Sequence, residues 1–238
     1  EEAQHLIRGQ ALPSVEAVLA AVYSHAVLTA GLLPAALQAN TRALTYVHLI
    51  EPRDSQTLGF NPEQWLNTQR AQILMLLGEN SSAEALVDTL LKAESVDTLH
   101  RAIALAVRIE SASRTGRPAQ ALEDADRLSE LLRGNETPYL KVLGNRFQAI
   151  ALLANGSAEP AVTLLTDTLA YARKHRAGGE MEPFLLATLA KALALTRDRG
   201  AHAAATEAVA VAKRRAMRAA EQDAIQTVQQ IALHRAPT

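Results

Sequence analysis

Residues 149–161 read AIALLANGSAEPA and contain the pattern that decides the fold. An apolar stretch rich in alanine and leucine ends at Gly156, and five residues later Ala161 stands early in a second stretch. Residues 71–83, AQILMLLGENSSA, repeat this arrangement with their own glycine and alanine. A glycine lets the backbone reverse at low steric cost, and a small residue soon afterwards lets two helices approach closely. The pattern therefore predicts a hairpin of two α-helices.

The same step from glycine to alanine occurs five times along the chain. Successive glycines of the series are 47, 38, 40 and 44 residues apart. Repeats of this length are typical of tandem helical hairpins, in which each hairpin packs mainly on its neighbours. The five steps are Gly31 to Ala36, Gly78 to Ala83, Gly116 to Ala121, Gly156 to Ala161 and Gly200 to Ala205.

Start and stop signals agree with the glycines. Asn61-Pro62 and Thr137-Pro138 each combine a capping residue with a first-turn proline, whereas Glu51 through Phe60 is expected to be an irregular linker. Strict apolar alternation is missing, so no strand is assigned. The sequence predicts an all-α solenoid in a single domain over 1–238, with a final capping helix over 219–234. Its five antiparallel hairpins are expected over about 14–50, 62–92, 95–132, 137–176 and 183–218.

Composition limits the classes of function. Of the 238 residues, 48% are hydrophobic and 21% are charged, which is an ordinary globular balance. Cysteine is absent, so disulfides and thiolate chemistry are excluded. No apolar run reaches about 18 residues, so no membrane span is expected, and a net charge of −1 argues against nucleic-acid binding by the whole segment. We expect this segment to be cytoplasmic, since the absence of cysteine fits a reducing compartment. We also expect it to be cut from a longer protein, because Leu6-Ile7 resembles the end of an earlier helix.

No pattern in the sequence indicates catalysis. The seven histidines form no pair four residues apart, and metal-binding, Walker, GxSxG and GxGxxG motifs are missing. His48 with Glu51 is the nearest approach to a metal pair, and we interpret it as structural. Gly178-Gly179 is interpreted as a bend between repeats. The sequence thus predicts no enzymatic activity, metal or cofactor.

Two of the hairpins resemble the tetratricopeptide repeat family most fully. A small residue, a large apolar residue, a turn glycine and a second-helix alanine follow in the family's order. Because the spacing exceeds the family's period of about 34 residues, the chain is more similar to the divergent arrays of bacterial signalling proteins and transcriptional activators. The residues that carry the resemblance are Ala71, Leu74, Gly78 and Ala83, and again Ala149, Leu152, Gly156 and Ala161.

The resemblance implies that the first helix of each hairpin lines a concave groove. An arginine there could hold a carboxylate bidentately and Trp65 could anchor an apolar group, so a partner segment bearing acidic groups is the expected ligand. Trp65 could equally fasten the linker over 52–60. With the family's spacing counted from each glycine, the groove is expected to contain His25, Trp65, Gln72, Met75, Glu110, Arg114, Arg146 and Arg197.

Basic residues cluster at 173–176 and 213–218. Both clusters lie where a helix is expected to end, and the helix dipole favours positive charge there. The alternative is an acidic partner, or nucleic acid, that meets both clusters along one edge. Basic residues without interleaved aromatic residues are a poor nucleic-acid signature, so nucleic acid is not expected.

Three functions remain open at this point. The first is a non-catalytic module for protein–protein interaction and regulation in signalling or transcription control. The second is a sensor that binds a small-molecule effector and controls an attached output domain. The third is a scaffold that forms a homodimer through the final helix, which carries Ile225, Val228 and Ile231. That helix could equally cap the open end of the array.

Overall fold

In the computed structural model the described residues are 13–235, and their regular structure is helical with no strand. The all-α prediction is confirmed. Residues 1–12, with the expected helix end at Leu6-Ile7, and residues 236–238 lie outside the described part. Within it twelve α-helices follow one another: α1 Pro13–Thr29, α2 Leu33–Tyr46, α3 Pro52–Leu58, α4 Pro62–Leu76, α5 Asn80–Lys92, α6 Thr98–Arg114, α7 Pro118–Leu131, α8 Pro138–Ala154, α9 Ala158–His175, α10 Glu182–Leu195, α11 Ala201–Arg214 and α12 Arg218–Arg235.

The helices pack in sequential antiparallel pairs, as the hairpin prediction requires. Helix α1 contacts α2, α4 contacts α5, α8 contacts α9, and α10 contacts α11. A hydrogen bond from Arg108 to Asp124 joins α6 to α7. Helix α12 packs against both α10 and α11. The architecture is consistent with a helical repeat.

The chain divides into two compact units, one that ends at Ala104 and one that begins at Leu105. In the first unit, α2 and α1 both contact α4. In the second unit, α8 contacts α10 and α10 contacts α12, so that first helices of successive hairpins lie side by side. The single domain over 1–238 stays a prediction.

The alanines of the repeated step are fully buried. Ala36, Ala83, Ala121, Ala161 and Ala205 are all 0% exposed. Side chains larger than a methyl group have no free space there, because protein interiors are packed to near-crystalline density. The five-residue spacing therefore identifies five real packing sites.

Four of the five glycines adopt the left-handed backbone conformation, with φ between 69° and 84°. The fifth does not: Gly200 has a φ of −69° and is the N-terminal cap of α11. The left-handed residue of that hairpin is Arg197, with a φ of 59°. Its N–H donates to the carbonyl of Ala194 over 3.1 Å, which closes the end of α10 three residues before Gly200.

The expected irregular linker from Glu51 to Phe60 is wrong, because it contains α3. Pro52 is the first residue of this helix, where its missing N–H does no harm. Gly59 ends the helix with a φ of 75°. The Ser14 hydroxyl accepts a hydrogen bond from the Glu51 N–H over 2.8 Å and donates to the Asp54 carboxylate. The proline and glycine that suggested a loop thus mark the two ends of a short helix.

Helix α12 covers the last hairpin. Ile231 is 4% exposed and belongs to a core cluster with Ala190, Ala201, Ala204 and Ala205. Val228 packs beside that cluster, whereas Ile225 is 37% exposed. One side of α12 therefore packs in the hydrophobic core of the second unit.

Candidate functional site

Arg146 occupies the centre of the row of first helices in the second unit. Its guanidinium carbon Cζ lies 4.5 Å from the ring centroid of Phe147 and 5.2 Å from that of Phe184 on α10. The side chain is half-buried, and its Nε atom is enclosed without a hydrogen-bond partner. Aromatic rings therefore hold this cation where hydrogen bonds do not.

Two ion pairs flank the guanidinium. On α6, Arg114 Nη2 donates to Glu110 Oε1 over 2.7 Å. Between α10 and α12, Lys191 Nζ lies 3.2 Å from Asp223 Oδ1. Burial lowers the pKa of Arg146, and the carboxylates of Glu110 and Asp223 oppose that effect. Arginine nonetheless stays protonated in proteins, so a permanent charge is held at this position.

Tyr139 adds a neutral group to the same region of α8. Burial and the nearby Glu180 carboxylate raise the pKa of Tyr139 to about 12, against the opposing charge of Arg146. The phenol therefore keeps its proton at neutral pH. It offers a hydrogen-bonding hydroxyl beside a positive charge without adding a negative one.

Glu110 and Arg114 were predicted from one hairpin and Arg146 from the next, and the structure brings the three into one electrostatic cluster. Arg197 lies elsewhere in the hairpin than expected. It is exposed and follows the end of α10 in the left-handed turn, so its predicted position on a groove-lining helix is wrong. The glycine from which it was counted is not the turn residue, which shifted the register.

The predicted residues of the first unit have mixed surroundings. The Trp65 ring centroid lies 4.8 Å from that of Phe60 and 5.4 Å from that of His25. The indole thus packs on Phe60, just beyond the Gly59 cap of α3, as the fastening role requires, and also faces the exposed His25. Gln72 is half-buried, whereas Met75 is only 3% exposed and belongs to the core.

The sequence did not reveal the contact between the buried His100 and the partly exposed Asp97. The Nδ1 atom of His100 lies 2.8 Å from both carboxylate oxygens of Asp97. Burial raises the pKa of Asp97, but hydrogen bonds from His100 outweigh it, so the net shift is downward. The Nε2 atom is enclosed without a partner, and the imidazole is 0% exposed. A substrate cannot reach this ring, which makes the pair a fastening of the start of α6.

One arginine of each basic cluster forms ion pairs within the protein. Arg173 Nε and Arg215 Nη2 both donate to the Glu182 carboxylate, over 2.9 and 2.7 Å. Arg173 Nη2 also donates to Glu207 over 2.5 Å, which joins the end of α9 to the middle of α11. The two clusters thus share one edge of the second unit, where Glu182 bridges them.

The sequence also missed Phe184, Lys191 and Asp223. Phe184 and Lys191 are seven residues apart on α10, a spacing that returns to the same face of a helix. That spacing was available as a signal, whereas the approach of Asp223 depends on how α12 packs and had none. Among residues 13–235, no group of three His, Cys, Asp or Glu side chains is placed to hold a metal ion. In the same range, no helix combines the length and apolar character needed to cross a bilayer.

The chain is thus an all-helical protein built from sequential helix pairs, consistent with a helical repeat. No protein-family model matches it, and no curated protein matches it.

Proposed function

We propose that this chain is a non-catalytic interaction module of the tetratricopeptide-like type. In this proposal a segment of a partner protein lies along the first helices of the second unit, which are α8, α10 and the part of α6 from Leu105 onward. The sequential helix pairs and the buried alanine at each repeated step support the repeat assignment. The function is proposed for this chain on the properties of that helix row.

The observation that carries the proposal is the setting of Arg146. Side chains from α6, α10 and α12 surround one half-buried guanidinium on α8. Arginine and aromatic side chains are the types most enriched at the energetic centres of protein interfaces. A row of helices made only to fill a core would place apolar side chains here, since unpaired charge is costly to bury.

The regulatory part of the proposal follows from the resemblance to bacterial signalling and transcription regulators. In such proteins a comparable array receives a partner or a ligand beside an output domain. We accordingly propose a cytoplasmic regulatory role for this chain, with binding on the helix row as the input.

Selection from a random dodecapeptide library on the full chain tests the proposal. Selected peptides are then measured by fluorescence anisotropy against the wild-type chain, Arg114→Gln and Lys191→Gln. We expect the two substitutions to weaken binding at least about 5-fold, or roughly 1 kcal/mol, because each leaves Glu110 or Asp223 without its cation and so reduces the positive charge around Arg146. Lys174→Gln, on the second helix α9, is the control and should bind like wild type. Failure to select any peptide, or equal binding by all variants, contradicts the proposal.

A second candidate function, effector sensing, is favoured by a cleft in the first unit. The cleft has a volume of about 490 Å³ and lies where α2, α3 and α4 meet. Apolar side chains such as Leu44 and Ile50 line it together with the polar groups of His48, Ser55 and Glu63. A ligand that binds there raises the melting temperature, because it stabilises the folded state by RT ln(1 + [L]/Kd). A thermal-shift screen in which no metabolite has this effect rejects the candidate.

A further inference from the structure

We infer that Arg146 is the receptor for a single carboxylate, supplied by an aspartate or glutamate side chain within the bound segment. The inference rests on the proposed function and gives its site a ligand chemistry. It also assigns a preference: one negative charge is accepted, and a dianion is not.

Within residues 13–235, the fold leaves the Arg146 guanidinium without a hydrogen bond, in contrast to two other arginines of the chain. Arg108 directs Nε and Nη2 at Asp124, over 2.8 and 2.6 Å. Arg101 donates to the carbonyl oxygens of Val96, Leu91 and Ala93, over 2.6 to 2.8 Å. Arg146 instead has an enclosed Nε without a partner. Of these three arginines, it is the one without a hydrogen bond to the described residues; because Nε is enclosed, a ligand would meet the outer nitrogens Nη1 and Nη2.

Two aromatic rings restrict the orientation of the Arg146 guanidinium. Phe147 and Phe184 lie close enough to the guanidinium for cation–π contact, at 4.5 and 5.2 Å. These contacts restrict the long side chain before any ligand arrives, so less conformational entropy is lost when a ligand binds. The side chain is half-buried and therefore keeps contact with solvent. A planar carboxylate suits such a fixed planar fork.

The charged side chains around Arg146 leave one positive charge without a matching negative charge. Glu110 is paired with Arg114 at 2.7 Å, and Asp223 is paired with Lys191 at 3.2 Å. Both carboxylates thus have their own cation, and the charge of Arg146 remains in excess by one. One incoming carboxylate balances that excess. A phosphate dianion, or two adjacent acidic residues, would bring a second negative charge toward Glu110 and Asp223, which disfavours it.

Proton–nitrogen correlation spectra of the arginine side chains test the inference on the full chain. The Nε–H signal of Arg146 is assigned by its loss in Arg146→Lys, or by triple-resonance spectra should that variant fold poorly. The probes are acetyl-glutamate-N-methylamide, its glutamine counterpart, acetyl-glutamyl-glutamate-N-methylamide and inorganic phosphate. We expect the single glutamate to shift the Arg146 signal saturably and at least about 10-fold more tightly than any other probe. The Nε–H of Arg108 should not move.

Equal responses to the glutamate and glutamine probes overturn the inference, as does tighter binding of phosphate or of the diglutamate. So does a glutamate response at Arg108 as large as that at Arg146. If no probe shifts Arg146 while library peptides still depend on Arg114 and Lys191, the carboxylate receptor is rejected and the proposed function stands. If no peptide is selected but the single glutamate shifts Arg146 as expected, the receptor stands and segment binding is rejected.

Discussion

Arg108 holds Asp124 through two parallel hydrogen bonds, from Nε over 2.8 Å and from Nη2 over 2.6 Å, and both side chains are buried. The pair joins α6 to α7. The more exposed Arg127 also contacts this carboxylate: its Nη1 atom lies 3.3 Å from Asp124 Oδ1. A bidentate pair of this kind is the strongest form of charged hydrogen bond in proteins.

Asp124→Asn should lower the free energy of unfolding by about 3 kcal/mol or more, because it removes the negative charge that faces the buried Arg108 guanidinium. Denaturant unfolding followed by circular dichroism measures the loss. The matched control is Glu130→Gln, which removes the exposed pair with Arg133 on the same helix and should cost less than about 0.5 kcal/mol. Equal losses in the two variants contradict a structural role for the buried pair.

Glu182 gives the stability of the second unit a defined dependence on pH. Burial raises the pKa of its carboxyl, but hydrogen bonds from Arg173 and Arg215 outweigh burial and set the pKa below the ordinary 4.5. The folded state therefore favours the ionised form. Its contribution is complete above about pH 4.5 and is lost as the pH falls through the lower folded-state pKa.

Comparison of wild type with Glu182→Gln from pH 3 to pH 8 checks this dependence. At neutral pH the variant should be less stable by about 1 kcal/mol, a modest value because both arginines are more than two-fifths exposed. The difference should shrink below pH 4.5. Glu136→Gln, at an exposed position, is the control. A difference that grows on acidification would give the shift the opposite sign.

The turn that ends α10 offers a gain in stability. Arg197→Gly should stabilise the chain by about 0.5 to 1 kcal/mol, because the left-handed conformation is strained for a residue with a side chain. Gly156→Ala should have the opposite effect, with a loss of about 1 kcal/mol at a φ of 80°. Thermal unfolding measures both. A loss of stability in Arg197→Gly would show that its side chain contributes more than the strain removes.

Helix α12 allows capping to be separated from dimer formation. Ile231→Ala should cost about 2 to 4 kcal/mol because it opens a cavity beside Ala190 and Ala205. Leu233→Ala should leave stability unchanged, since Leu233 is 75% exposed. Sedimentation of Leu233→Glu and Ile225→Glu then tests the dimer proposal. A wild-type dimer that both charged variants retain excludes α12 as its interface.

The helices of the hairpins and their close contacts were predictable from the sequence, whereas α3 was not. Ala83 and Ala161 stand five residues after turn glycines, and that spacing depends only on local backbone geometry and side-chain size. The same counting placed Glu110, Arg114 and Arg146 on first helices. It could not show that Met75 belongs to the core, because an apolar helix with neighbours on both sides gives no single apolar stripe.

The remaining differences arise from contacts between distant parts of the chain. Asp223 joins the cluster around Arg146 only because α12 packs on α10. The register error at Arg197 arose because a glycine is permitted, but not required, at a left-handed turn. Pro52 and Gly59 suggest a loop, but a proline and a glycine at the two ends of a segment are equally a helix signature.

The fully enclosed alanines of the hairpins affect how the molecule can respond to a ligand. A methyl side chain has no rotamers, so the side chains at these contacts cannot repack into a second arrangement. Each hairpin is consequently stiff along its own seam. A conformational response to binding has to arise at other contacts, where longer side chains can exchange one set of neighbours for another.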